Sequence, residues 1–155
     1  MKTAELLGVW RVEKMMSVIG SKPGLYTREE VEADLDEKLK KGEIDEDEKK
    51  ETLMLFSAET EFCGGGTVKT WFPIPEGTSE EEIREALKSG EISEVKDGKM
   101  LAEEKKWEEK DDGVYLDSGE YREALGERLS SLDKLELDEA GLLPYGGGAM
   151  ILKKK

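Results

Sequence analysis

Two Asp-Gly dipeptides, Asp97-Gly98 and Asp112-Gly113, stand between runs in which apolar and polar residues alternate. Such dipeptides favour the two-residue turns of tight β-hairpins, whose central positions need positive φ. The runs "EISEVK" and "KMLAEEKKWEEK" flank the first, and "VYLDSG" follows the second. Downstream, "KLELD" precedes the turn "EAG", and "GAMILKKK" ends the sequence. Upstream, "TLMLFSAETEF" reads as a strand from Thr52, "CGGG" as its turn and "TVKTWFPIP" as its partner. Pro73 and Pro75 end that hairpin, since proline cannot donate into a ladder. Strands joined by tight turns are antiparallel, and no strand–helix–strand alternation argues for a parallel doubly wound sheet. An antiparallel meander of this size removes its edges by closing on itself. The expected fold is mainly β: an antiparallel up-and-down β-barrel of about eight or nine strands. It occupies one domain, residues 1–155, and carries two or three short inserted helices.

The helices announce themselves by their ends. Thr27 followed by Glu30 forms a capping box, with Leu25 or Tyr26 before it as the staple. Val31, Leu35 and Leu39 then recur every four residues, Asp34 with Lys38 and Glu37 with Lys41 are i,i+4 ion pairs, and Gly42 fits the stop. Asp45 caps a second, short acidic helix reaching about residue 51. Ser79 and Glu82 open a third, with Ile83, Ala86 and Leu87 as its stripe and Gly90 as its end. Before the first helix, residues 6–19 read as one long strand and "GSKPG", residues 20–24, as a turn or loop. Residues 120–131, "EYREALGERLSS", fit either a strand bulged at Gly126 or a short helix.

Charge narrows the partners. Acidic residues outnumber basic ones 38 to 24, for a net charge of −14. That field repels nucleic-acid phosphates and anionic membrane surfaces. No stretch approaches the apolar length of a membrane span, and "MKTAELLGVW" lacks the apolar core of a signal peptide, so a cytoplasmic location is expected. The sequence contains no histidine and a single cysteine, Cys63. The usual general base, the usual transition-metal ligand and an intramolecular disulfide are therefore all missing. Ser130-Ser131 lack a Gly-x-Ser-x-Gly context, and the runs "CGGGTVK" and "YGGGAM" do not match a phosphate-binding loop. The acidic run "DLDEKLKKGEIDEDE" lacks the spacing of a calcium loop. Carboxylates are too numerous for one pair to stand out as a hydrolytic acid and base. Neither an enzyme, a cofactor nor a metal site is expected.

The first strand holds one further clue, Gly8-Val9-Trp10 within "LLGVW". A barrel end must be plugged against water, Trp buries a large apolar area, and glycine lets the chain bend beside it. This Gly-x-Trp resembles the signature of the calycin superfamily, the lipocalins and fatty-acid-binding proteins. The chain is also similar to small, acidic bacterial lipocalin-like proteins that carry a helix between hairpins. The resemblance implies that Gly8 and Trp10 form a structural plug. A basic residue from the last strand, Lys153 or a neighbour in "MILKKK", would cover it by a cation–π contact. The late Arg-x-Tyr pair of fatty-acid-binding proteins has no match, because the last arginine is Arg128. The segment 79–89 has no counterpart in either family.

If the apolar phase of each strand faces inward, the lumen holds Met16, Met54, Phe56, Phe72, Trp107, Tyr115 and Met150. Methionine and aromatic side chains either fill a small barrel or line a permissive pocket, and the spacing leaves both open. Two functions follow. One is non-catalytic binding of a small apolar or amphipathic molecule in the lumen. The other is a filled-core structural or interaction protein that uses its acidic surface or helical insert.

Overall fold

The computed structural model describes residues 2–117, 121–122, 127–128, 132–146 and 148–155. In chain order the elements are α1 (Thr3–Leu6), β1 (Gly8–Ile19), β2 (Lys22–Tyr26), α2 (Arg28–Lys40), α3 (Glu46–Met54), a 3-10 turn (Leu55–Ser57), β3 (Glu59–Cys63), β4 (Thr67–Pro73), α4 (Glu80–Ser89), β5 (Val95–Lys96), β6 (Lys99–Lys110), β7 (Gly113–Asp117), β8 (Tyr121–Arg122), β9 (Glu127–Arg128), β10 (Leu132–Leu135), β11 (Leu143–Tyr145) and β12 (Met150–Lys154). Eight strands follow one another in the order β10-β7-β6-β4-β3-β1-β12-β11, and every pairing is antiparallel. β10 and β11 approach each other across the remaining seam without a ladder among the described residues, so the barrel is nearly closed. β2 adds to β1, β5 adds to β6, and β8 pairs β9 separately.

Local sequence explains most boundaries. At α2, Thr27 accepts from the Glu30 amide at 3.3 Å while the Glu30 carboxylate accepts from the Thr27 amide at 3.1 Å. Gly42 and Glu43 return their amides to Leu39 and Lys38, which ends the helix with Gly42 at φ 72°. Asp45 and Ser79 cap α3 and α4 by accepting from Glu48 and Glu82. Asp97 and Gly98 both take positive φ and join β5 to β6 as their dipeptide demands.

Two segments differ from expectation, and a third takes one of the two forms expected of it. Of the turn or loop expected at residues 20–24 only Gly20-Ser21, both at positive φ, form the turn, and residues 22–26 form β2 on the distal half of β1. Pro23 is accommodated because β2 is an edge strand. Residues 52–57 are helical, continuing α3 into the 3-10 turn, and the strand begins only at Glu59. Short apolar runs do not distinguish helix from strand, and here the Asp45 cap extends its helix through "TLM". In residues 120–131, the described parts form the β8–β9 pairing, while Gly126 and Ser130-Ser131 lie outside the described residues.

Two apolar clusters result. One fills the barrel around Leu6, Trp10, Phe62, Val68, Trp107, Val114, Leu116, Leu143 and Leu152. The other joins Val31 and Leu35 of α2 to Phe56 beneath the helices. Val12 of β1 touches both. No described helix is long and apolar enough to cross a membrane.

Candidate functional site

The end of the barrel where β1 begins is sealed. Gly8 stands at φ 124°, and a Cβ there would meet the Lys154 side chain at 3.3 Å. Two residues on, Trp10 is 1% exposed and donates its indole N–H to the Leu6 carbonyl of α1 at 2.8 Å. The ladder places Trp10 opposite Lys154. The Lys154 ammonium lies 5.9 Å from the indole centre and donates to the Glu5 carbonyl at 3.1 Å. Lys153 does not take this place: it pairs with Arg11, so alternation turns it outward. Beside the plug, Trp107 donates to the Cys63 and Thr67 carbonyls at 3.0 and 3.1 Å and locks the β3–β4 turn. Burial pushes the Cys63 thiol up, and neighbouring Glu61 adds to the shift.

Toward the other end the lumen opens into a cavity of about 580 Å³. Its apolar lining comes from Val12, Met15, Leu55, Ala58, Phe72, Ala102 and Met150. Its polar lining comes from Thr60, Thr70, Glu103, Lys105 and Tyr145. Two irregularities shape it. A bulge on β1 between Val12 and Lys14 reverses the strand's phase, so Trp10 and Val12 face in before it and Met15 after it. A second irregularity, between Thr70 and Trp71, gives β6 an extra residue, which brings both Ala102 and Glu103 to the cavity wall.

Of the seven side chains expected in the lumen, Phe72 and Met150 line this cavity. The β1 bulge sends Met16 outward, 52% exposed, and Met15 replaces it. Met54, on helix rather than strand, borders a separate groove of about 510 Å³ with Arg28, Lys50, Leu53 and Ile74. Phe56 is buried under α2 and belongs to the helical cluster. Trp107 is packed in the sealed half. Tyr115 faces out because Val114 and Leu116 take the inward positions of β7. Its hydroxyl donates to Asp112 at 2.6 Å. The apolar phase of the strands does not single out the other lining residues, Val12, Met15, Leu55, Ala58, Thr60, Thr70, Ala102, Glu103, Lys105, Tyr145 and Gly146. Inward alternation from Phe62 or Phe72 points to Thr60 and Thr70, whereas Met15, Ala102 and Glu103 depend on bulges that local sequence does not declare.

Tyr145 marks the boundary between the halves. It is 6% exposed and packs edge-on against Phe62, with ring centres 6.4 Å apart. Burial, with a smaller contribution from Glu103, pushes its phenol up to about 12. Glu103 and Lys105 form an ion pair at 3.2 Å.

The outer face of β3 and β4 carries a different polar cluster. Trp71 is 5% exposed there and donates to Glu61 at 3.2 Å. Glu59 accepts from Lys99 and Lys155. Burial alone would raise the Glu59 carboxyl, but these two hydrogen bonds outweigh it and hold the pKa below the usual range. The small cavity of about 170 Å³ at this cluster is bordered by the paired charges Glu59, Glu61, Lys96, Lys99 and Lys155, and by Asp97.

Comparison of the chain with family models, with curated proteins and with solved structures finds no match. The geometry of the lumen carries the functional reading by itself.

Proposed function

We propose that the protein binds a small apolar or amphipathic molecule in the open half of its barrel, without catalysis, in the manner of the calycins its first strand resembles. The observation that supports this is the cavity of about 580 Å³ among Met15, Phe72, Ala102 and Met150. Small-molecule sites are concave, mostly apolar and of about 300–1,000 Å³, with a few convergent polar groups. Methionine suits such a wall because its flexible thioether adapts to varied shapes. The test is native mass spectrometry of the freshly purified protein, together with titration by Nile red, an uncharged apolar probe. Binding of the probe, and its loss in Ala102→Phe, is the expected result. Ala102 is exposed on the cavity wall, so the larger side chain fills the space without disturbing the sealed core. A protein that neither carries an adduct nor takes up the probe overturns the reading.

One observation favours a second reading, an interaction protein. The stripe Ile83, Ala86 and Leu87 on α4 has no buried member, and Leu87 is 40% exposed. Light scattering tests it: self-association that disappears in Leu87→Glu supports this reading, and a strictly monomeric wild type removes a second copy as the partner.

A further inference from the structure

The cavity wall contains an ordered polar row. Along the ladders, Trp10 of β1 faces Thr60 of β3, Thr60 faces Thr70 of β4, and Thr70 faces Glu103 of β6. Directly opposed residues on one face of a sheet hold their Cβ atoms about 4.5–5.5 Å apart. The row therefore runs without a gap from the sealed indole, through two hydroxyls, to a carboxylate. Tyr145 reaches the same cavity from β11, near enough to Glu103 to feel its charge. Neither threonine hydroxyl nor the phenol has a hydrogen-bond partner among the described residues, although Thr60 is only 4% exposed and Tyr145 6%. Among the described residues the one fully buried side-chain polar atom without a partner is Thr3 Oγ1, so these three hydroxyl oxygens are reached from the cavity and are available to a guest molecule. Beyond the row toward the open end, the wall is apolar: Met15, Ala58, Phe72 and Met150.

We propose that the lumen takes an uncharged, hydroxyl-headed amphiphile of the long-chain alcohol class. Its hydroxyl sits on the Thr60–Thr70–Tyr145 row, and its chain lies among Met15, Phe72 and Met150. This rests on the lumen-binding reading and specifies its ligand. The charges select the head. A carboxylate would enter a protein of net charge −14 and lie beside Glu103, while the cation at hand, Lys105, is already paired with that residue. An ammonium head would compete with Lys105 for the same carboxylate and be repelled by it. A hydroxyl both donates and accepts: it donates to a threonine oxygen or to Glu103 and accepts from the Tyr145 phenol, which stays protonated at neutral pH.

Dodecanol, dodecanoate and dodecylammonium share one chain and differ only in the head. Each is titrated against Nile red bound to the wild-type protein at neutral pH. Dodecanol is expected to displace the dye about tenfold more effectively than either charged analogue, since an uncompensated charge beside buried groups costs at least that much. Thr70→Val and Tyr145→Phe should each weaken dodecanol about fivefold relative to Nile red measured in the same variant, the worth of one hydrogen bond, and narrow its advantage over the two charged analogues. Thr60→Val gives the same reading by an independent position. Equal displacement by all three heads, or an alcohol preference that survives these substitutions, overturns the hydroxyl assignment while lumen binding stands. Failure of the dye and all three amphiphiles to bind overturns both.

Discussion

At the end of the barrel where β1 begins, Leu6, Trp10, Phe62, Val68, Leu143 and Leu152 are at most 2% exposed, and the indole N–H groups of Trp10 and Trp107 both find carbonyls. At the other end the same strands β1, β3, β4 and β12 present Met15, Thr60, Phe72 and Met150 to a cavity of about 580 Å³. The strands are shared, and the difference lies in side-chain volume and strand phase. Large residues face in up to Trp10 and Phe62, small or polar ones at Ala58, Thr60 and Thr70, and the β1 bulge then changes which residues face in. One half of the lumen can therefore supply stability while the other retains space.

The largest test of that division is Trp10→Ala. Removing a fully buried aromatic side chain costs about 3–5 kcal/mol, and in a chain of this size each kcal/mol lowers Tm by about 2–4 °C. A fall of roughly 6–20 °C is expected by calorimetry. A loss of only a degree or two would mean that the sealed end does not hold the fold.

Tyr145 gives the next largest effect, and its sign is fixed by linkage. The folded phenol titrates at about 12 against 10.0 for the free side chain, so the folded state holds this proton more tightly. The stability it contributes is fully present below pH 10 and is lost as pH rises toward 12. At about 1.4 kcal/mol per unit, the loss reaches about 2–3 kcal/mol. Denaturant melts between pH 9 and about 12 should show this decline in wild type and a shallower one in Tyr145→Phe. Tyr115, raised by its hydrogen bond to Asp112, shifts in the same direction but is unaffected by that substitution. Identical pH profiles for the two proteins would place the Tyr145 ring in water.

Phe72→Ala should cost less, about 1–2 kcal/mol, because the side chain is only half-buried and already borders open space. Its larger consequence is for the Nile red affinity of the lumen, which should fall several-fold while Trp10→Ala leaves it nearly unchanged below its melting point. If Phe72→Ala destabilises as strongly as Trp10→Ala, the two halves do not differ as described.

Hairpins, caps and the place of Trp10 were legible because each is decided by residues adjacent in sequence. Thr27 with Glu30, Ser79 with Glu82, and Asp97 with Gly98 need no distant partner to set their geometry. The cavity was only partly legible. A single bulge exchanged Met15 for Met16, and the length of α3 removed Met54 and Phe56 from the strand face. Lys154 rather than Lys153 covers Trp10 because the β1–β12 register decides it, and register belongs to two segments far apart in sequence. The sequence does not mark Tyr145, because β11 is only three residues long and contains a proline. Its inward position is imposed by β12.

The smallest expected effect separates the lumen from the outer face. Glu59 is held below the usual carboxylate range by Lys99 and Lys155, although burial opposes the shift. A carboxyl with a lowered folded pKa stabilises the protein above its unfolded value near 4.5, and that contribution is lost as pH falls through the folded pKa. Glu59→Gln should therefore lose stability at neutral pH and show a flatter acid limb than wild type in denaturant melts. The substitution leaves an acceptor for one lysine but removes the charge that holds two. Because Glu59 points away from the cavity, Nile red affinity should be the same in the variant and in wild type at pH 7. A matching change in dye affinity would show that the outer cluster and the lumen are coupled through β3, and the barrel could no longer be read as a sealed half and an open half that act independently.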